Sequence, residues 1–487
     1  MTSHLRYNYG YLGPIDSKKP AHVDEETASS TCATDVTRPA ARTGSSHASI
    51  FEMSAVGAPA DPILSMRDRF LEDTAKEKLN LAVGVYRTAE GEPYVLRCVK
   101  DAESALLLDQ MKGLVDKEYL PADGMIKFCT ESIKLLLGST IEPALAENRV
   151  VAAQSLSGLG GLHLAARMIG ELLPGATVHL PSPTWPIHPD IFNQCGVRTA
   201  YYPYYDAATC GFDFAGMRAA LMAMSPGSLV LFHACAHNPT GVDPTAEQWQ
   251  EIAQLVQERG LVPVIDSAYQ GFASGDLETD AAGVRALMAT PGLEMFVCQS
   301  FAKNMGMYGE RVGAFSMICN DAATAEKVRQ QLKRAVRLTY SSPPRHGAAV
   351  AYKILSEPAR REVWRLEVAE MAQRLRDMRV ALSAALEEVA CPPPTGTRLT
   401  SWSHVLSQRG MFTYTGLTSA QVDALRERFH IYMPQDGRIS MASLTVSTCG
   451  VLARAIKEVL TTALEEEAEA DDPLQGNSPR PSKKARA

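Results

Sequence analysis

Four short apolar runs, ATVHLP, SLVLFHACA, LVPVID and EMFVCQS, carry Val, Ile and Phe, and each gives way to polar or turn residues. Helical patterns lie between such runs, for example TAEQWQEIAQLVQERG, which Gly260 closes. Strands that alternate with helices predict a mostly parallel sheet flanked by helices, an α/β fold. From about residue 354 the texture changes. A long amphipathic stretch, EVWRLEVAEMAQRLRDMRVALSAALEEV, ends at Pro392–Pro394, and short strand-like pieces and a final helix follow. A second, smaller α+β domain is expected there.

The chain has 487 residues, enough for two domains plus tails. A net charge of -7 gives no basis for a nucleic-acid partner. Without a run of eighteen apolar residues, no membrane span is expected. The 10 cysteines form no CxxC pair, so they read as reduced thiols rather than a zinc site or a disulfide framework. Residues 1–50 are rich in Ser, Thr, Ala and Pro and read as a disordered extension. Acids there (Asp16, Asp24, Glu25, Glu26, Asp35) match the Lys and Arg in number, whereas transit peptides are poor in acids. A cytoplasmic location is expected, with a mitochondrial one as the alternative. Residues 466–487 read as a disordered tail ending in NSPRPSKKARA, too short in basic residues for a strong import signal.

In an open parallel sheet, ligands sit beyond the carboxyl ends of the strands. LVPVID ends in Asp266, with Tyr269 beyond it; SLVLFHACAHNPTG leads to His237 and Asn238; EMFVCQSFAKN leads to Ser300 and Lys303. The segment SLSGLGGLHLAARM is expected to set Ser157, Gly158, Gly160 and Gly161 just before a helix, where free N–H groups and the dipole favour phosphate. Arg311 can add a bidentate contact. SGLGG does not fit GxGxxG, which argues against a dinucleotide site. Each residue alone has an ordinary explanation: a solvated lysine, a turn aspartate, glycines for tight packing. Together they suit pyridoxal phosphate, which needs an amine for a Schiff base, an acid beside its pyridine nitrogen and an anion site. Lys303 supplies the amine and Asp266 the acid, with Asn238 and Tyr269 as hydrogen-bond partners of the ring oxygen.

Longer motifs carry a family resemblance: NLAVGVYRTAEGEPYVL at 80–96, KEYLPADG at 117–124, PSPTW at 181–185, HACAHNPTGVDPT at 233–245, DSAYQGFASGD at 266–276 and QSFAKNMGMYGERVG at 299–313. Over roughly residues 51–465 the chain resembles the aspartate aminotransferase family, within fold-type I pyridoxal-phosphate enzymes. The resemblance implies amino transfer between aspartate and 2-oxoglutarate in a homodimer with shared active sites. It makes Lys303 the cofactor-bearing, proton-shuttling lysine and Trp185 the residue stacked on the ring. Ser157, Gly158, Ser300 and Arg311 would bind the phosphate, joined by Tyr119 from the neighbouring subunit. Arg438 would take the substrate α-carboxylate beside Gly84, and Arg337 would reach across the dimer to the distal carboxylate. His188 and His233 would be supporting groups, with no metal expected because no ligand cluster surrounds them in the sequence.

The implied division is a dimer arm at 51–63, a small domain at 64–94 and 369–465, and a large domain at 95–368. The chain also departs from the family. Leu159 and Ala302 stand where a threonine and a serine usually help hold the phosphate. Pro186 replaces a glycine, and Ser342 an asparagine near the substrate arginine. Aromatic or broad-specificity amino transfer is the nearest alternative. A catalytically degraded binding protein is a more distant one.

Overall fold

The computed structural model describes residues 62–470, with side chains described for 65–463. The expectations for residues 1–50, for most of the arm and for 471–487 lie outside the described residues. Its centre is a seven-stranded sheet built from β1 (Val150–Leu156), β2 (Thr177–Ser182), β3 (Arg198–Pro203), β4 (Leu229–His233), β5 (Val262–Ser267), β6 (Met295–Ser300) and β7 (Val312–Ile318). The order across the sheet is β1-β7-β6-β5-β4-β2-β3. Only β7 runs antiparallel to its neighbours. The mostly parallel α/β sheet expected from the apolar runs is therefore present.

The central strands β4, β6 and β7 are buried along their whole length because both faces are covered, whereas the edge strand β3 exposes Arg198 and Tyr201. Along β4, Val230 and Phe232 enter one core cluster, while Leu229 and Leu231 enter the cluster on the opposite face. This is the period-two alternation of a strand buried on both sides. The helix before β5, α1 (Ala246–Arg259), shows why helices form here. Thr245 and Gln248 make a reciprocal capping box at its start, and Gly260, at φ 59°, closes it in the left-handed region.

A 31-residue helix, α2 (Pro358–Glu388), crosses the expected 368/369 domain boundary without a break. It buries Trp364, Val368, Met371, Leu375, Leu382 and Leu386. Trp364 Nε1 donates to Asn304 O at 2.8 Å, tying α2 to the lysine turn. Beyond it, β8 (Phe412–Tyr414) and β9 (Arg438–Ser440) pair antiparallel, and Leu79–Asn80 pairs with Ile431–Tyr432. The final helix, α3 (Val446–Ala470), passes residue 465, so the expected tail does not begin at 466. Among the described residues, no helix is long and apolar enough to cross a membrane, and every cysteine is free.

Candidate active site

The parallel strands end along one edge of the sheet. Ser157 follows β1, Trp185 follows β2, Asn238 follows β4 and Lys303 follows β6, while Asp266 and Ser300 close β5 and β6. Arg311 reaches the same edge because β7 is antiparallel and starts there, with Val312 opposite Leu156 and Gly313 opposite Ser300. Gly84, Phe412 and Arg438 come from the segments packed beyond this edge. Together these residues line a cavity of about 280 Å³, with Gly158, Leu159, Tyr269, Ala302 and Tyr308 also in its wall.

Lys303 Nζ donates to Gly84 O at 2.5 Å and lies 5.2 Å from the Tyr308 ring centroid and 5.9 Å from that of Tyr269. Burial, with the positive charges of Arg438 and Arg311, lowers its pKa to about 8. An amine so placed has a substantial neutral, nucleophilic fraction near neutral pH. Gly84 must lack a side chain, because a Cβ there would stand 2.6 Å from Phe412 Cζ and 3.4 Å from Lys303 Nζ.

Asp266 is buried, with Oδ2 3.3 Å from His188 Nε2. Burial alone pushes its carboxyl pKa up, but the side-chain contact with His188, the largest opposing influence, brings it below the usual value. It therefore stays ionised and faces the cavity as a buried anion. His188 Nδ1 pairs with Thr184 Oγ1 at 2.8 Å, which fixes the ring. Burial lowers the pKa of His233 to about 3, so it is a neutral ring beside Asp266.

The anion cradle is built from strained backbone. Ser157 and Arg311 both hold positive φ, at 62° and 53°, and Ser157 N donates to Arg311 O at 3.1 Å. Non-glycine residues persist in this region only where their surroundings hold them, often at functional sites. Ser157 Oγ and Ser300 Oγ are 2.8 Å apart. A Cβ on Gly158 would lie 3.1 Å from Ser300 Cβ, so glycine keeps the approach open. Arg311 forms no ion pair among the described residues, leaving its charge available to an anion.

Arg438 is 3% exposed, and its guanidinium lies 4.2 Å from the Phe412 ring centroid. It donates to Asn238 Oδ1 at 2.9 Å and to Ala82 O at 3.3 Å. Asn238 Nδ2 in turn approaches the Tyr269 hydroxyl at 3.5 Å. Burial lowers the pKa of Arg438, yet no carboxylate pairs with it among the described residues, and its buried Nε has no hydrogen-bond partner. A buried guanidinium left this way lacks the carboxylate that its fork geometry matches.

Two expected residues lie elsewhere. Tyr119 is 89% exposed, in a separate groove with Ser342, Pro343 and Arg345. Arg337 is exposed in the last turn of the helix Ala322–Thr339 and donates to Ser341 Oγ. Two sequence expectations need correction. Ser157 and Gly158 do not precede their helix; they form its first turn, because Ser157–Leu172 is helical from the end of β1. His188, His233 and Asp266 do form a cluster, with ligand-type atoms within 4.8 Å of one another. Long sequence separations hid it, but β2, β4 and β5 are adjacent and His233 registers with Asp266. Tyr308 and Phe412 were missed as wall residues. Tyr308 lies inside the 299–313 motif, but an apolar Phe412 carries no local signal.

A lysine, a buried carboxylate and an anion cradle at the edge of a mainly parallel sheet define the class of fold-type I pyridoxal-phosphate transferases. Residues 76–456 match the model for "Aminotransferase class I and II". The chain is 47% identical over 409 residues to aspartate aminotransferase 3, chloroplastic, of Arabidopsis thaliana, covering 84% of this chain and 88% of that protein. It is 46% identical to the cytoplasmic aspartate aminotransferase of Oryza sativa subsp. japonica, covering 83% and 96%. Among solved structures, an aromatic-amino-acid aminotransferase of Burkholderia pseudomallei, covalently bound to pyridoxal phosphate, superposes with TM-score 0.77 at 44% identity, covering 85% and 100%. The cytoplasmic aspartate aminotransferase of Saccharomyces cerevisiae gives TM-score 0.80 at 37% identity, covering 85% and 99%. The chain belongs to the class I and II aminotransferase family.

Leu159 (41% exposed) and the buried Ala302 give the cradle two apolar walls. Each missing hydroxyl is worth about 0.5–1.5 kcal/mol. Leu159→Thr combined with Ala302→Ser is expected to tighten cofactor binding roughly tenfold or more, read by equilibrium dialysis of the apoenzyme. Unchanged affinity would mean that other contacts already satisfy the phosphate.

Proposed function

We propose that this aminotransferase exchanges an amino group between L-aspartate and 2-oxoglutarate, giving oxaloacetate and L-glutamate, with pyridoxal 5'-phosphate held by Lys303. The observation that carries this reading is Arg438: a buried guanidinium without a carboxylate partner among the described residues, in the same cavity as a desolvated lysine. When bound, the cofactor supplies an electron-accepting ring that stabilises the charge left when the substrate Cα loses its proton.

The protein's own groups do the rest. Ser157, Gly158, Ser300 and Arg311 hold the phosphate. Asp266, kept ionised by His188, holds a proton at the pyridine nitrogen. Asn238 and Tyr269 would hydrogen-bond the cofactor's ring oxygen, and Trp185, in the same cavity wall, would cover its ring. Arg438 orients the substrate through its α-carboxylate beside Gly84. Lys303 would anchor the cofactor through its amine and, with that amine free, would serve as the base that holds the substrate Cα proton. Its lowered pKa suits that role at neutral pH.

In this reading the enzyme is a homodimer with shared active sites. The partner contributes the distal-carboxylate arginine and the phosphate-binding tyrosine at the positions of Arg337 and Tyr119. The exposure of both residues, outside their own chain's cavity, supports it. The proposed division is 64–94 with 369–465 as the small domain and 95–368 as the large one. The proposed compartment is the cytoplasm, on the acid content of residues 1–50; the relatives include cytoplasmic, chloroplastic and mitochondrial proteins. The likeness to an aromatic-amino-acid aminotransferase favours a second reading, in which aromatic donors are also accepted.

The test separates the arginines. Removing one partner of a shielded charge pair costs about 3–5 kcal/mol, roughly 10²–10³-fold or more in kcat/KM. Arg337→Ala is expected to lose that much with aspartate and little with alanine or phenylalanine, whereas Arg438→Ala harms all three. Mixing Arg337→Ala subunits with Lys303→Ala subunits is expected to restore aspartate activity, because a mixed dimer has one intact shared site. No recovery despite verified subunit exchange would sink the shared site. Equal losses for aspartate and alanine in Arg337→Ala would sink its role in selecting dicarboxylates.

A further inference from the structure

A second cavity, of about 660 Å³, lies between the segment after β5 (Phe272–Ser274), the middle of α2 and residues 406–410. It shares no lining residue with the Lys303 cavity. Arg376, Arg379 and Arg409 line it, with Ser274, Ser407 and Gln408 as further hydrogen-bonding groups, and no described Asp or Glu does. None of the three arginines forms an ion pair with a described carboxylate.

Arg379 is 3% exposed and is held only by neutral acceptors: Val405 O at 3.2 Å, Gly410 O at 2.9 Å, Phe412 O at 2.6 Å and Thr413 Oγ1. Burial without a counter-charge lowers its pKa to about 9. Arg376, half-buried, donates to Ser274 O at 2.7 Å and to Gln373 Oε1. Arg409 is exposed, with its amide fixed to Gly241 O at 2.6 Å. The acid whose charge faces Arg409, Asp243, lines the adjoining cavity and already accepts the amides of Ala236 and His237. Three cations around one concave space, with no acid among the described residues of its lining, form an electrostatic gap that an anion would close.

We propose that this cavity binds a small oxyanion carrying at least two negative charges, either inorganic phosphate or a compact polycarboxylate. Arg376, on α2, and Arg409, in the 406–410 segment, grip the anion, and the buried Arg379 adds positive charge to the lining. The ligand sits next to the catalytic wall, because Arg379 holds the carbonyl of Phe412, whose ring packs on Arg438. The site does not depend on which amino acid the enzyme uses.

The test is calorimetric titration of the cofactor-loaded enzyme, in chloride buffer, with inorganic phosphate and separately with citrate. Wild type, Arg376→Gln/Arg409→Gln and Arg376→Lys/Arg409→Lys are compared. Any anion bound at the Lys303 cavity appears in all three. Wild type is expected to show one further saturable event per chain, weakened about tenfold or more in the glutamine variant and weakened less in the lysine variant, which keeps the charges but not the fork geometry. Tighter phosphate identifies a phosphate ligand, and tighter citrate a polycarboxylate. The two substituted positions are half-buried or exposed, so equal melting temperatures without anion are expected. Should the glutamine variant not fold, Arg409→Gln alone serves. Equal binding in wild type and the glutamine variant, or no further event in wild type, overturns the proposal.

Discussion

Lys303→Ala is expected to abolish turnover with aspartate, by at least about 10⁴-fold, and to leave protein that no longer retains cofactor through a covalent bond. The size follows from the loss of two roles at once, since a positioned general base alone contributes about 10²–10⁴-fold. Another lysine cannot easily replace it. Its amine is fixed by Gly84 O and surrounded by Tyr269, Tyr308, Arg438 and Arg311. The same environment sets a pH dependence. Burial and the two neighbouring arginines all disfavour the ammonium form, so the amine is protonated below its pKa of about 8 and neutral above it. Cofactor attachment to the apoenzyme is expected to quicken about tenfold per pH unit well below 8 and to level off above it. Stopped-flow absorbance reads the rate. A borohydride-reducible cofactor adduct persisting in Lys303→Ala would show that another lysine does the work.

Asp266→Ala is expected to slow removal of the Cα proton by roughly 10²–10³-fold or more, the usual consequence of breaking a buried charge pair at about 3–5 kcal/mol. Asp266 sits at the end of β5, with His188 held against it by Thr184 and a neutral His233 alongside. Its lowered pKa keeps it ionised at working pH, so its contribution is present above the acid range and fades only as pH falls through that lowered value. Asp266→Glu keeps the charge and misplaces it, and the loss there is expected to be smaller. Single-turnover rates with aspartate measure the effect. A near-normal rate in folded Asp266→Ala would remove the residue from the chemistry.

Four of the parallel strands, β2, β4, β5 and β6, were legible because each is a short apolar run that gives way to polar or turn residues; β3, with Arg198 and Tyr201 exposed, carries no such pattern. The catalytic edge was legible for the same reason: Asp266, Asn238, Ser300 and Lys303 all stand just where an apolar run stops. Arg311 was readable from its motif, but its position at that edge depends on β7 running antiparallel, which no local pattern announces. The opposite wall was harder. Gly84 and Arg438 emerged only through whole-motif resemblance, since the pairing of Leu79–Asn80 with Ile431–Tyr432 joins segments far apart in the chain. Phe412 is apolar on a short strand and reads as core. The His188–His233–Asp266 cluster depends on strand order, which one sequence does not reveal.

On the proposed function, this cavity moves the amino group of a dicarboxylic amino acid onto its cofactor. The direct measurement is a half-reaction: cofactor-loaded enzyme mixed with excess L-aspartate and no 2-oxo acid, with products counted. The expected result is one oxaloacetate formed per Lys303 site, with the amino group retained on the protein until 2-oxoglutarate releases it as glutamate. No oxaloacetate, or continuous product formation without any 2-oxo acid, would contradict the account.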